Sequence, residues 1–215
     1  MPLPSFIDFV LHIDKHLSTL IQTYGVGTYL ILFLIVFCET GLVVTPFLPG
    51  DSLLFASGAF AAQGVLNFGI LVALLVFASI AGDSANFWIG RHIGKKLERN
   101  EKLVNPHYIK HTQEFYKKYG SKTIVLARFV PIVRTFAPFV AGIGRMNYSQ
   151  FMFYNVIGGI IWVGLFTTAG YLFGNIPWVQ DNFGIVVIGI IIASIIPAVV
   201  EFVRHRKNNS LKFEN

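Results

Sequence analysis

Five ionisable residues lie inside or at the edge of long apolar runs: Glu39, Asp51, Asp83, Arg128 and Arg134. If those runs cross a membrane, each charge costs about 2.5–3.5 kcal/mol at the bilayer centre on insertion scales. Each therefore needs a partner, water or a proton. Arginine presents a planar fork of donors that suits phosphate. A carboxylate poised between desolvation and a neighbouring guanidinium can take up and release a proton. Arg128 and Arg134 are thus candidates for binding a phosphate group, and Glu39 and Asp51 for carrying protons or balancing the arginines. Asp83 and Arg91 are accessory candidates. The competing reading is a pair of buried salt bridges that only pin the chain together. Ionisable residues inside a membrane mark function by default, which favours a site.

Other chemistries find little support. The histidines stand at 12, 16, 92, 107, 111 and 205, away from the broken apolar segments. That argues against a His-based metal site or acid–base pair at membrane depth. There is no His-Glu-x-x-His motif and no phosphate loop; Gly94-Lys95-Lys96 lacks the rest of one. Ser57 before Gly58 has no visible base. The expectation is a protein that is not an enzyme and carries no cofactor or metal. Cys38, the only cysteine, sits in an apolar run as a small packing residue.

Two segments must position the charges. Residues 39 to 52 contain Pro46, Pro49 and Gly50, which forbid a continuous helix. Residues 128 to 138 are broken by Pro131 and Pro138. Each break is flanked by apolar arms of roughly ten residues, about 15 Å as helix, or half the hydrocarbon thickness. Such arms predict re-entrant hairpins, tolerated at membrane depth only where protein or a wet cavity covers them. Arg128 and Arg134 are six apart, about 240° around an ideal helix, so they share no face unless Pro131 breaks it. Pro49-Gly50-Asp51-Ser52 reads as a helix start capped by Asp51 or Ser52. A half-helix starting there aims backbone N–H groups at an anion. Asp51 as a plain structural cap is an equal alternative.

The surrounding chain is membrane-like. It has 215 residues, 54% of them hydrophobic and 13% charged, against about 25% charged in soluble domains. Its mean hydropathy is +0.62. Residues 52–82, 146–180 and 182–200 carry no Asp, Glu, Lys or Arg. Four runs reach the roughly 20 apolar residues of a spanning helix: 24–44, 66–90, 151–174 and 183–203. The expected class is an all-α integral membrane protein in one domain. It comprises an amphipathic segment 1–23, a first span and repeat 24–94, a basic segment 95–122, a second repeat 123–174, a last span 183–203 and a basic tail 204–215. Segment 1–23 has no basic n-region; it either lies in the interface or starts the first span.

Charge sets orientation. Nine Lys and Arg fall between Arg91 and Lys122, and four more in the tail. Positive loops stay cytoplasmic, so both are expected inside. No stacking-aromatic pattern accompanies them, which argues against nucleic acid and for anionic-lipid contacts. With 24–38 running outward and 66–90 inward, both clusters fall inside. The two broken segments then enter from opposite faces, making residues 39–94 and 128–174 inverted repeats. Gly90-Arg-His-Ile-Gly94 and Gly170-Tyr-Leu-Phe-Gly174 close the two long spans alike.

These residues resemble the DedA family of bacterial membrane proteins, also described as SNARE-associated or VTT-domain proteins. The resemblance rests on Phe37-Cys-Glu-Thr-Gly-Leu-Val-Val-Thr-Pro-Phe-Leu-Pro-Gly-Asp-Ser-Leu-Leu-Phe55 and on Gly82-Asp83 with Ile89-Gly90-Arg91. It rests also on Leu126-Ala-Arg-Phe-Val-Pro-Ile-Val-Arg-Thr-Phe-Ala-Pro-Phe-Val-Ala-Gly142 and Tyr154-Asn-Val-Ile-Gly158. Phe87 departs from the tyrosine expected there. The resemblance implies a bacterial inner-membrane transporter or flippase for a phosphate-bearing lipid, undecaprenyl phosphate or a phospholipid, driven by the proton-motive force. Its partners are then membrane lipids and protons. It also implies that Glu39, Asp51, Arg128 and Arg134 match the family's essential charges. A proton or ion antiporter of the same architecture, and a non-transporting scaffold for envelope assembly, are the alternatives.

Overall fold

The computed structural model describes residues 13–42, 50–98, 123–193 and 196, and no strand occurs among them. The helices are α1 (Ile13–Tyr24), α2 (Thr28–Gly41), α3 (Gly50–Ala62), α4 (Phe68–Glu98), α5 (Thr123–Ala127), α6 (Pro131–Ile143), α7 (Tyr148–Phe173) and α8 (Pro177–Asp181). A further apolar helix, α9, covers Phe183–Ala193. Three stretches are long and apolar enough to cross a membrane: Ile13–Gly41, Phe68–Gly94 and Tyr148–Phe173. The chain is an all-helical membrane protein. Pro46 and Pro49, most of the basic segment 95–122 and the tail 204–215 lie outside the described residues.

The first stretch is not straight. Gly25 takes a positive φ of 51°, and the Thr28 hydroxyl donates to the Leu20 carbonyl at 3.3 Å. Residues eight apart in a straight helix are separated by about 12 Å of rise, so the chain turns sharply at Gly25. In α1 the residues Ile13, Leu17 and Ile21 form an apolar stripe that packs onto the hydrophobic core; residues 1–12 of the N-terminal segment lie outside the described residues. The turn leaves α2 with 14 residues, about 21 Å, short of the roughly 30 Å hydrocarbon layer.

Contacts fix the helix directions. Tyr29 Oη accepts the Asn67 N–H at 2.6 Å, Phe33 stacks on Phe77, and Gly41 meets the Gly82 backbone. So α2 and α4 run the same way. The parity of crossings required 24–38 and 66–90 to run in opposite directions, and this expectation is corrected. The bend at Gly25 takes α1 out of line with α2. Helices α4 and α7 run antiparallel: Phe68 packs on Tyr171 at one end, Asn155 reaches the Ile80 carbonyl in the middle, and Phe87 stacks on Phe151 at the other.

The short helices pack onto the long ones across the two halves of the chain. α3 lies parallel to α7, with Gly170 against the Phe55 carbonyl and Gly174 against Ala59. In the same way α6 lies parallel to α4, with Gly90 against the Phe139 carbonyl and Gly94 against Ile143. A methyl group at Gly170 or Gly90 would overlap backbone. Small residues four apart let helices approach this closely in a membrane, where van der Waals contact drives association. Each long helix thus carries the returning arm of the other half. Half-exposed Trp88 and Tyr171 sit at opposite ends. The 21 residues from Phe68 to Trp88 rise about 30 Å, one hydrocarbon thickness.

Candidate functional site

This packing across the halves brings the ends of the broken arms against the middle of α4 and α7. Pro131 opens α6 after an extended Val130, a position where its missing N–H costs nothing. Pro138, inside α6, denies the Arg134 carbonyl its usual N–H partner. On the facing side α3 begins at Gly50, whose N–H donates to Glu39 Oε1 at 3.1 Å. A Cβ at Gly50 would fall on that carboxylate. The requirement for Gly at this position is therefore the close approach of Glu39.

Arg134 joins the two broken segments. Its Nη2 pairs with Glu39 Oε1, and its Nη1 with Asp51 Oδ1 at 2.9 Å. The indole N–H of Trp162 donates to the same Asp51 oxygen at 2.8 Å. The Trp162 ring lies under the guanidinium, 4.5 Å from its carbon to the ring centroid, a cation–π geometry. One arginine is therefore held by two carboxylates and one ring. Arg134 and Glu39 are essentially buried, whereas the Asp51 side chain keeps 14% of its surface exposed.

Arg128 belongs to a second cluster. Its Nη2 pairs with Asp83 Oδ2 of α4 and with Asn155 Oδ1 of α7. Asn155 is anchored in turn to the Ile80 carbonyl at 3.1 Å and to Ser84 Oγ. The side-chain stem of Arg128 runs over Gly158, where a Cβ would stand 2.7 Å from its Cδ. Between the clusters the Asn86 amide donates to the carbonyls of Thr40, at 3.2 Å, and Thr135, at 2.7 Å. Among the described residues, Glu39 Oε2, Asp83 Oδ1, Arg128 Nε and Nη1, and Arg134 Nε are buried without a hydrogen-bond partner.

The expectation that the two carboxylates of the first segment meet the two arginines of the second is met for Arg134 alone. Arg128 turns instead to Asp83 and Asn155 on the long helices. Arg91 stands apart, eight residues beyond Asp83 on α4 and about 12 Å further along it. It donates to the Met146 carbonyl and lies over Phe87 and Trp88. Phe87 is fully buried and stacks on Phe151 at 4.5 Å, a site with no use for a hydroxyl. Sequence reasoning missed Asn86, Asn155 and Trp162. For the two asparagines the available signal was an amide side chain within a long apolar run.

A helical core, two broken arms leaning on the opposite long helices, and a buried charged centre define a polytopic membrane protein with an internal ionic site. The VTT domain model matches residues 48–172. The chain is 58% identical over 205 residues to Protein DedA of Escherichia coli K12, covering 94% of each. It is 40% identical over 177 residues to an uncharacterized membrane protein of Mycobacterium tuberculosis H37Rv, covering 80% of this chain and 78% of that one. To the inner membrane protein YqjA of Escherichia coli K12 it is 34% identical over 151 residues, 69% of each. The chain belongs to the DedA family. No solved structure matches it.

Proposed function

We propose that this protein is a transporter that carries a phosphate-bearing lipid, of the polyprenyl phosphate or phospholipid class, across a bacterial inner membrane with the help of the proton-motive force. The observation that carries this reading is Arg134, a phosphate-type donor fork held near the middle of the protein by two carboxylates from the facing segment. Such a group is costly to bury and is retained where an anion must be recognised. The opposed directions of the two halves and their broken arms support an inverted-repeat plan with re-entrant hairpins, a recurring design of secondary transporters. In this plan the basic segment 95–122 and the tail face the cytoplasm.

The test is lipid movement in proteoliposomes holding the purified protein and a fluorescent phosphate-bearing lipid. Protein-dependent transfer between leaflets is expected, with little for a neutral diacylglycerol of the same chains. Equal transfer of both lipids, or none of either, would remove the lipid-transport reading.

A further inference from the structure

We infer that the groove between α1, α8 and the start of α9 binds one phospholipid whose headgroup carries both a phosphate and a primary ammonium. The groove is a resident lipid site, apart from the charged centre, and the inference does not rest on the transport reading.

The place follows from the helix ends. α3 ends at Ala62 and α7 at Phe173, and Phe68 packs on Tyr171 close by. Phe68 marks one edge of the hydrocarbon-thick stretch of α4, so this end of the bundle lies at headgroup level. The first turn of α1 borders Gln63 and Gly174 here. Its last turn leads through Gly25 into α2, whose Tyr29 holds the Asn67 N–H at the same end. Both ends of α1 therefore lie at one surface. Its 12 residues, about 18 Å, run along that surface and not through the layer. Ile13, Leu17 and Ile21 face the core, while Lys15, Thr19 and Gln22 are exposed. A helix with these two faces settles at the boundary between headgroups and acyl chains.

The groove has two adjoining chambers. One, of about 530 Å³, lies between α1 and the ends of α3 and α7. The other, of about 420 Å³, continues along the start of α9. Asp14, Lys15, Gln180 and Phe183 border both. Asp181 adds a third charge, in the second chamber. Among the described residues, Asp14, Lys15 and Asp181 form no ion pair with one another or with any other group. The groove also has an apolar wall, because Phe183 is 7% exposed and its ring tilts against Phe55. Beyond it Ile185 and Ile188 border the second chamber, and both are exposed, as is Ile192 one turn further on. Their spacing of three and four puts them on one face of α9.

A charged basin that opens onto an exposed isoleucine stripe fits an amphipathic ligand. The headgroup occupies the basin and an acyl chain follows α9. The signs of the charges select the headgroup. Lysine donates to phosphate oxygen, and a carboxylate accepts from an ammonium. One lysine with two aspartates leaves a net charge of minus one. That disfavours an anionic headgroup and favours one that brings its own cation. A quaternary ammonium has no N–H to give the aspartates, so a primary ammonium is the better match.

Native mass spectrometry of the detergent-purified full chain reads the bound lipid. The probes are dioleoyl phosphatidylethanolamine, phosphatidylglycerol and phosphatidylcholine, each added alone at the same concentration. Exposed ion pairs contribute little each, so the parent should prefer phosphatidylethanolamine by about threefold over either of the others. Lys15→Gln should weaken phosphatidylethanolamine binding by about threefold. Asp14→Asn combined with Asp181→Asn should abolish the preference and raise phosphatidylglycerol to at least the level of phosphatidylethanolamine. Equal binding of the three lipids by the parent, or a parent preference for another of them, overturns the inference. So does a preference for phosphatidylethanolamine that the Lys15 and the aspartate variants both keep, since the lipid then sits elsewhere. Transfer between leaflets is not read by this experiment, so either result leaves the transport reading to its own test.

Discussion

Arg128 and Asp83 offer the sharpest test of how the charges are held. Both are at least 98% buried, and each loses its counter-charge if the other is removed. Asp83→Asn keeps the shape and leaves the Arg128 guanidinium with neutral acceptors only, the amide oxygens of residues 83 and 155. Breaking one partner of a buried pair costs about 3–5 kcal/mol. For a chain of this size each kcal/mol moves the melting temperature by about 2–4 °C, so the fall should be roughly 6–20 °C. Replacing both partners with apolar groups removes the stranded charge and is often neutral or stabilising. The double variant Asp83→Leu with Arg128→Met should therefore recover most of the loss, although Asn155 then lacks its donor. The measurement is thermal unfolding of the parent, Asp83→Asn, Arg128→Met and the double variant in one detergent. If Asp83→Asn melts within 2 °C of the parent, the pair is not what holds Arg128. If the double variant melts lower than either single one, the electrostatic account of the cluster is wrong.

Four further outcomes are expected. Arg134→Lys keeps the charge but loses the fork, and should cut lipid transfer at least tenfold while the protein still inserts and accumulates. Trp162→Phe keeps a ring but removes the N–H that Asp51 accepts; one lost hydrogen bond to a charged group predicts a destabilisation of about 1.5–3 kcal/mol, read by the same melting assay. Gly170→Leu forces a side chain into the Phe55 backbone and should abolish accumulation of folded protein, whereas Gly164→Leu, which meets nothing within 4 Å, should accumulate normally. Single cysteines at 105 and at 178, in a Cys38→Ser background, should be respectively protected from and labelled by an impermeant maleimide added to intact cells; labelling at 105 would reverse the proposed orientation.

Much of the helical plan was readable because membrane helices announce themselves by length and hydropathy. The long runs ending at Gly94 and Gly174 are present as α4 and α7, and Pro131 and Gly50 do open helices. What was unreadable depends on which way a segment faces. The apolar run 24–38 looks like a crossing, and only the positive φ of Gly25 and the Tyr29–Asn67 contact make it an arm parallel to α4. Arg128 was grouped with Arg134 because both flank Pro131. The partner of an arginine is chosen by the helix its stem lies across, and here Gly158 clears a path toward Asp83 and Asn155. Trp162 passed as one more apolar residue because a buried indole and a lipid-facing one look alike in sequence.

The glycine contacts across the halves also bear on synthesis. The arm that carries Asp51 has its backbone seat on α7, and Gly58 and Gly170 are 112 residues apart in the chain. At about 5–20 residues per second of translation, α3 waits several seconds before its seat emerges. During that interval Glu39 and Asp51 have no Arg134 to pair with. The first half is thus a nascent intermediate that must be sheltered by the insertion machinery or by water at the interface. A chain truncated after residue 98 should be degraded, and co-production of residues 99–215 as a separate chain should rescue it.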